Sequence, residues 1–307
     1  MKRENADIEC VVRCANSLGE NPIWCAKSRS LYWINCERNG IDCERDAALL
    51  NYDPATKVVK EWPMPKRIGA VALRGDGTLL IALADGIYTF DQETEALTLV
   101  ASAPHSDSVV LHEGKCDRYG NFWIGSMTKE IQTRGLEGKR GGAYFYRLAG
   151  RALLPQIGDI SVANGLAWST DGKIMYHTDT LSDTVWAHDY DIQSCAISNR
   201  RVLFTVRPGE GMCDGAAVDS QGGYWVAMFQ GGCIRRYTPD GRLDRELRLP
   251  VTQPTMMAFG GDDLQDLYLT TTRYGESQAS AKSEPGPGDL YVIKGAGRGI
   301  REANFRS

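Results

Sequence analysis

Residues 162–180, VANGLAWSTDGKIMYHTDT, hold two short β-strands around a Thr-Asp-Gly turn. Apolar residues alternate along the first strand, and the second, KIMYHT, is aromatic and β-branched, the composition that suits a pleated, half-buried surface. The pair Asn164-Gly165 at the front of the first strand is unusual, because both residues are depleted in strands. Two readings of it stand open: a local turn, where both residues tolerate positive φ, or a polar side chain placed deliberately at a strand opening.

The same unit recurs. KSRSLYWIN (27–35), GDGTLLIAL (75–83), RYGNFWIGS (118–126), TDGKIMYHT (170–178), SQGGYWVAM (220–228) and GDDLQDLYLTT (261–271) each join a turn to an apolar strand. Most are followed by a further strand ending near Tyr or Asp. A period of about 43–52 residues is that of a four-stranded propeller blade. Six such units nearly fill 307 residues. The expectation is an all-β, six-bladed β-propeller as one domain over 1–307; a β-sandwich would also show many short strands but not six look-alike units.

Composition narrows the function classes. Net charge is −4, with no block of like charge, so nothing marks a nucleic-acid or anionic-membrane partner. No stretch approaches the ~20 apolar residues of a membrane helix, and the N-terminus lacks a signal-peptide pattern, so the chain is read as cytoplasmic. Nine cysteines without CxxC spacing are read as reduced thiols rather than disulfides or zinc ligands. There is no GxSxG elbow, P-loop or GxGxxG followed by a helix.

Aligned by their turns, the blade openings bring Glu20, Ile68, Glu113, Asn164, Asp214 and Met256 to or near equivalent positions. Four of these six are oxygen donors, and inner strands of a propeller line its central channel. A metal site in the channel follows, with one divalent cation (Zn, Mn, Fe(II), Mg or Ca) on a carboxylate, amide and carboxylate set.

At these residues the chain resembles the senescence-marker protein/regucalcin/gluconolactonase family of six-bladed propellers. LGENPIW (18–24), the 163–180 stretch, CDGAAVDSQGGYWVA (213–227) and the C-terminal blade from Leu267 carry the likeness, which spans essentially the whole chain. It implies metal-dependent hydrolysis of sugar lactones with Glu20, Asn164 and Asp214 as metal ligands. One stretch departs from the family. Where gluconolactonases carry Arg-x-Asn-Asp-Gly-Lys, this chain reads VLHEGK: Val110 stands for the Arg, His112 for the Asn and Glu113 for the Asp. The substrate is therefore expected to be a pentono- or deoxyhexono-lactone rather than gluconolactone. The alternatives are a calcium-binding regulatory protein without turnover, or a propeller esterase or phosphotriesterase.

Lactone hydrolysis needs a polarised carbonyl and a deprotonated water, and Asp214 is expected to take the proton. The resemblance implies that His112, Glu113 and Glu130 lie at the substrate, Glu130 at a position where the family carries a substrate-facing acid. For His112 three roles are open: a contact to a sugar hydroxyl, a further metal ligand, or a proton shuttle. His177 and His188 are read as packing residues, and Asp179 as bonding a neighbouring strand. The insertion at 35–50 is either a wall over the channel or a surface excursion, and 277–288, rich in Ser, Pro and Gly, reads as a mobile loop.

Overall fold

A computed structural model describes residues 2–3, 7–36, 47–138, 140–274 and 286–306. Most of the insertion (37–46) and of the Ser/Pro/Gly-rich segment (277–285) lies outside the described residues. Six sheets, each built on four antiparallel strands, form the blades of a propeller, and Lys2–Arg3 adds a short parallel fifth strand to the outer edge of blade 5. Blade 1 is Gly19–Cys25, Ser30–Asn35, Ala48–Asp53 and Val58–Pro63. Blades 2 to 5 repeat the order, with inner strands Ile68–Leu73, Val109–Cys116, Ala163–Trp168 and Met212–Val218. In blade 6 the strands Pro254–Gly260, Asp266–Thr271 and Leu290–Lys294 are completed from outside by the N-terminal strand Asp7–Val12. That borrowed strand ties the two ends of the chain together and closes the ring, which protects sheet edges that would otherwise be open.

The turn chemistry explains the repeat. In the first hairpin of blades 2, 3, 4 and 5 an aspartate accepts backbone N–H groups across its own turn: Asp76 from Thr78, Asp117 from Tyr119 and Asn121, Asp171 from Lys173, Asp219 from Gln221 and Gly223. Such turns preorganise the hairpin locally. The inner strands are buried along their length, and Trp33, Trp123, Trp168 and Trp225 fill the layers around the ring. No disulfide links the eight described cysteines, all free thiols.

The C-terminal tail links blades 5, 3 and 2. Gly299 pairs with Asp219 of blade 5, and Phe305 N–H donates to the Leu73 carbonyl of blade 2. Between them Glu302 lies 3.7 Å from Lys115 and 3.9 Å from Arg118. No helix among the described residues is long and apolar enough to cross a membrane.

A feature absent from the periodicity recurs in all six blades. Pairing between the first and second strands slips once in each, at Glu20/Ile23, Ile68/Ala70, Leu111/Gly114, Asn164/Ala167, Cys213/Ala216 and Pro254/Met257. Each slip is a β-bulge, an extra residue that bends the strand and re-aims side chains.

Candidate functional site

The bulges decide which side chains meet. Glu20 and Asn164 occupy the last pair before their bulge, whereas Asp214 and His112 are the first bulged residues and Glu113 the second. The residues expected at one register position are therefore spread over three, which the turn alignment could not resolve because it counts residues without the bulge. Convergence survives for three of them, Glu20, Asn164 and Asp214, and His112 joins these at the cleft. These four side chains line a cleft of about 550 Å³ at the mouth of the channel. Ile68 and Met256, fully buried, do not line it.

Asn164 is buried, and its Nδ2 donates to Asp214 Oδ1 and to Thr180 Oγ1, both at 2.7 Å. This turns Oδ1 away from both partners, and it has no hydrogen-bond partner among the described residues. The following Gly165 holds φ at +68°, and a Cβ there would stand 2.6 Å from Tyr224 Oη. Only glycine fits, so the Asn-Gly pair is a bulge within the strand Ala163–Trp168 rather than a turn, and Asn164 lines the cleft.

Glu113 supports that bulge from the neighbouring blade. Its two oxygens accept Gly165 N–H at 2.9 Å and Leu166 N–H at 2.6 Å, and Tyr224 donates to the Gly165 carbonyl at 2.8 Å. The carboxylate expected at the substrate is thus engaged with backbone and does not line the cleft. Glu130 is also elsewhere. It sits in the first turn of a short helix, Lys129–Arg134, and pairs with Arg134 at 3.2 Å. The same helix turns Ile131 and Gln132, not Glu130, to the cleft.

Electrostatics single out the axis. Burial, then the charges of Glu20 and Glu113, hold the Asp214 carboxyl well above the usual carboxylate range. Glu20 is pushed up by burial and then by Glu113, and Glu113 rises to about 7 by burial against the opposing pull of Lys115 and its two amide donors. Buried acids that repel one another are stabilised by a cation between them. Among the described residues no three His, Cys, Asp or Glu side chains form a metal-binding group. Glu20 and Asp214 offer two carboxylates beside the amide oxygen of Asn164, which has no hydrogen-bond partner among the described residues. An all-oxygen set fits a divalent cation.

Several cleft residues carried no signal in the motifs. Leu18, Met127, Ile131, Val162 and Phe229 make an apolar wall, and Thr180, Gln132 and Tyr274 add polar groups. Arg67, buried behind His112, is the charged residue directly before the apolar inner strand of blade 2, an anomaly the sequence did display. His177 and His188 pack in blade 4 with their Nε2 atoms 3.0 Å apart, and Asp179 accepts Ser161 and Val162 N–H groups as a strand-to-strand link.

Comparison with known proteins agrees with this architecture. The family model of the SMP-30/gluconolactonase/LRE-like region matches residues 18–273. Regucalcin of Xenopus laevis is 31% identical over 97% of this chain and 98% of its own. A 6-deoxy-6-sulfogluconolactonase of Pseudomonas putida is 31% identical over 94% and 95%. A calcium-binding protein, regucalcin, from Agrobacterium tumefaciens superposes with a TM-score of 0.91 at 24% identity, covering 100% of both chains, and so shares the fold. With the motif match spanning five-sixths of its length, the chain belongs to the SMP-30/gluconolactonase/LRE-like family of six-bladed propellers.

Proposed function

We propose that the cleft opens a sugar lactone to its aldonic acid with one divalent cation held by Glu20, Asn164 and Asp214. The observation that carries this reading is the Asn164 amide, buried and bonded through nitrogen to Asp214 while its oxygen lacks a partner among the described residues. Held by these residues, a cation would supply Lewis-acid polarisation of the lactone carbonyl and of the attacking water. Asp214, whose Oδ1 accepts from Asn164, would take the proton of the attacking water in this reading. Glu113 and Tyr224 hold the Gly165 bulge, and through it the aim of Asn164.

The wall formed by Leu18, Met127, Ile131, Val162 and Phe229 supports a lactone with fewer hydroxyls than gluconolactone. A hydroxyl pressed against those side chains loses its water hydrogen bonds without replacement, whereas a methyl group or an absent carbon does not. A pentono- or deoxyhexono-lactone suits this wall. The Pseudomonas putida relative, named a 6-deoxy-6-sulfogluconolactonase, has an activity of the same class.

The test is acid release from a panel of aldono-1,4- and 1,5-lactones by chelator-stripped protein, with Zn, Mn, Fe(II), Mg or Ca restored separately and spontaneous opening subtracted. Cation-dependent release on pentono- or deoxyhexono-lactones, abolished by Glu20→Ala, is expected. Ion binding with no release above background on any lactone would replace this reading with that of a calcium-binding protein.

A further inference from the structure

We infer that Arg67 is a positioning residue that fixes His112 in one neutral tautomer, presenting Nε2–H to the substrate as a hydrogen-bond donor rather than as a base or a cation ligand. The substrate is that of the proposed lactonase, and this inference rests on that reading; the arrangement of the two side chains does not.

Arg67 reaches the third blade from the second. Gly69, two residues on, lies so close to blade 3 that a Cβ would stand 2.3 Å from the Leu111 carbonyl oxygen. This approach lets Arg67 Nη1 donate to the Leu111 carbonyl at 2.6 Å while Nη2 lies 3.3 Å from His112 Nδ1. A guanidinium has five donors and no acceptor. The contact to Nδ1 is therefore a hydrogen bond only if Nδ1 carries the lone pair, and in a neutral imidazole the proton must then sit on Nε2. Both side chains are buried.

With Nδ1 turned to Arg67, the edge of the ring that lines the cleft carries Nε2–H. Such an imidazole has no free lone pair. Binding a cation or accepting a proton would require breaking the Arg67 contact or removing the Nε2 proton. Burial and then the Arg67 charge also oppose a positive ring, taking His112 down to about 3. Of the three roles open from the sequence, only contact to a substrate oxygen remains. A neutral donor fixed by a second residue adds no positive charge beside the cation site and needs no reorganisation as substrate arrives.

Long-range ¹⁵N–¹H NMR of ¹⁵N-histidine-labelled protein reads the tautomer directly. His112 is expected as a single Nε2–H tautomer in wild type, and Arg67→Met is expected to let Nδ1–H appear and to lower kcat/KM about tenfold or more. His112→Ala, which removes the donor outright, is expected to lower kcat/KM at least as far as Arg67→Met does, and adding Arg67→Met to it should cost little further. If Arg67→Met does not fold, Arg67→Lys serves instead, since one ammonium cannot hold both the Leu111 carbonyl and the ring in the same fork. An Nδ1–H or mixed tautomer in wild type, or a tautomer unmoved by the Arg67 variants, overturns the inference. An intact Nε2–H signal without turnover of any lactone overturns the function and leaves the Arg67 arrangement standing.

Discussion

Asn164 Nδ2 donates to Asp214 Oδ1 across 2.7 Å, tying the inner strand of blade 4 to that of blade 5 at the mouth of the channel. Fifty residues separate the two in sequence. The bond orients both side chains at once: it fixes which atom of the amide is left free, and it occupies one oxygen of the carboxylate.

Removing the amide tests that orientation. Asn164→Ala deletes the free oxygen and the donor to Asp214, and hydrogen bonds to charged groups are worth about 1.5–3 kcal/mol. Divalent-cation affinity measured by calorimetry is expected to fall roughly 10–100-fold. The rise in melting temperature on adding cation should shrink with it, since that stabilisation follows ligand concentration over Kd. Unchanged affinity would take Asn164 out of the donor set.

Asp214→Asn keeps the shape of the side chain but removes the proton acceptor. General-base assistance contributes about 10²–10⁴ in rate. At saturating cation, kcat on the best lactone is expected to fall by that order, with weaker cation binding as a separate effect. Near-normal kcat once the site is filled would assign the proton to another group.

Acid sensitivity should arise partly away from the site, in blade 4. His177 is held down to about 3, by burial first and then by His188 and Arg200; His188 is held down to about 4, by burial first and then by Arg200 and Arg201 with Asp189 opposing. Both rings are neutral when folded and take up protons near pH 6.5 when unfolded. Between those values the unfolded chain binds more protons, so stability is complete above about pH 6.5 and falls as the pH drops toward the folded values. For His177 alone the loss at pH 5 is about 2 kcal/mol. Urea midpoints measured from pH 7 to 4.5 are expected to decline less steeply in His177→Gln than in wild type. Parallel slopes would place the acid sensitivity elsewhere.

The legibility of this chain follows the range of the interactions involved. Blade hairpins were readable because their signals are local: an aspartate that caps its own turn, as Asp117 and Asp219 do, and alternation along six or seven residues. Glu20, Asn164 and Asp214 were readable as polar residues out of place at the front of buried strands. Glu113 looked the same in sequence and was not brought to the cleft, while Glu130, which follows a strand and opens the helix Lys129–Arg134, pairs with Arg134 instead. What separates Glu113 from Glu20, Asn164 and Asp214 is the bulge, which puts it one position beyond His112 and spends its oxygens on Gly165 and Leu166.

The sequence alone determined the repeat, the strand composition and the polar openings, because each depends on neighbours a few residues away. Tertiary structure decided the rest. Six register slips set which openings face the axis, and ring closure by Asp7–Val12 sets which blades are neighbours. The Arg67–His112 and Asn164–Asp214 contacts join residues 45 and 50 positions apart. Such pairs exist only once blades stand side by side, where buried polar groups, cut off from water, must find their partners in one another.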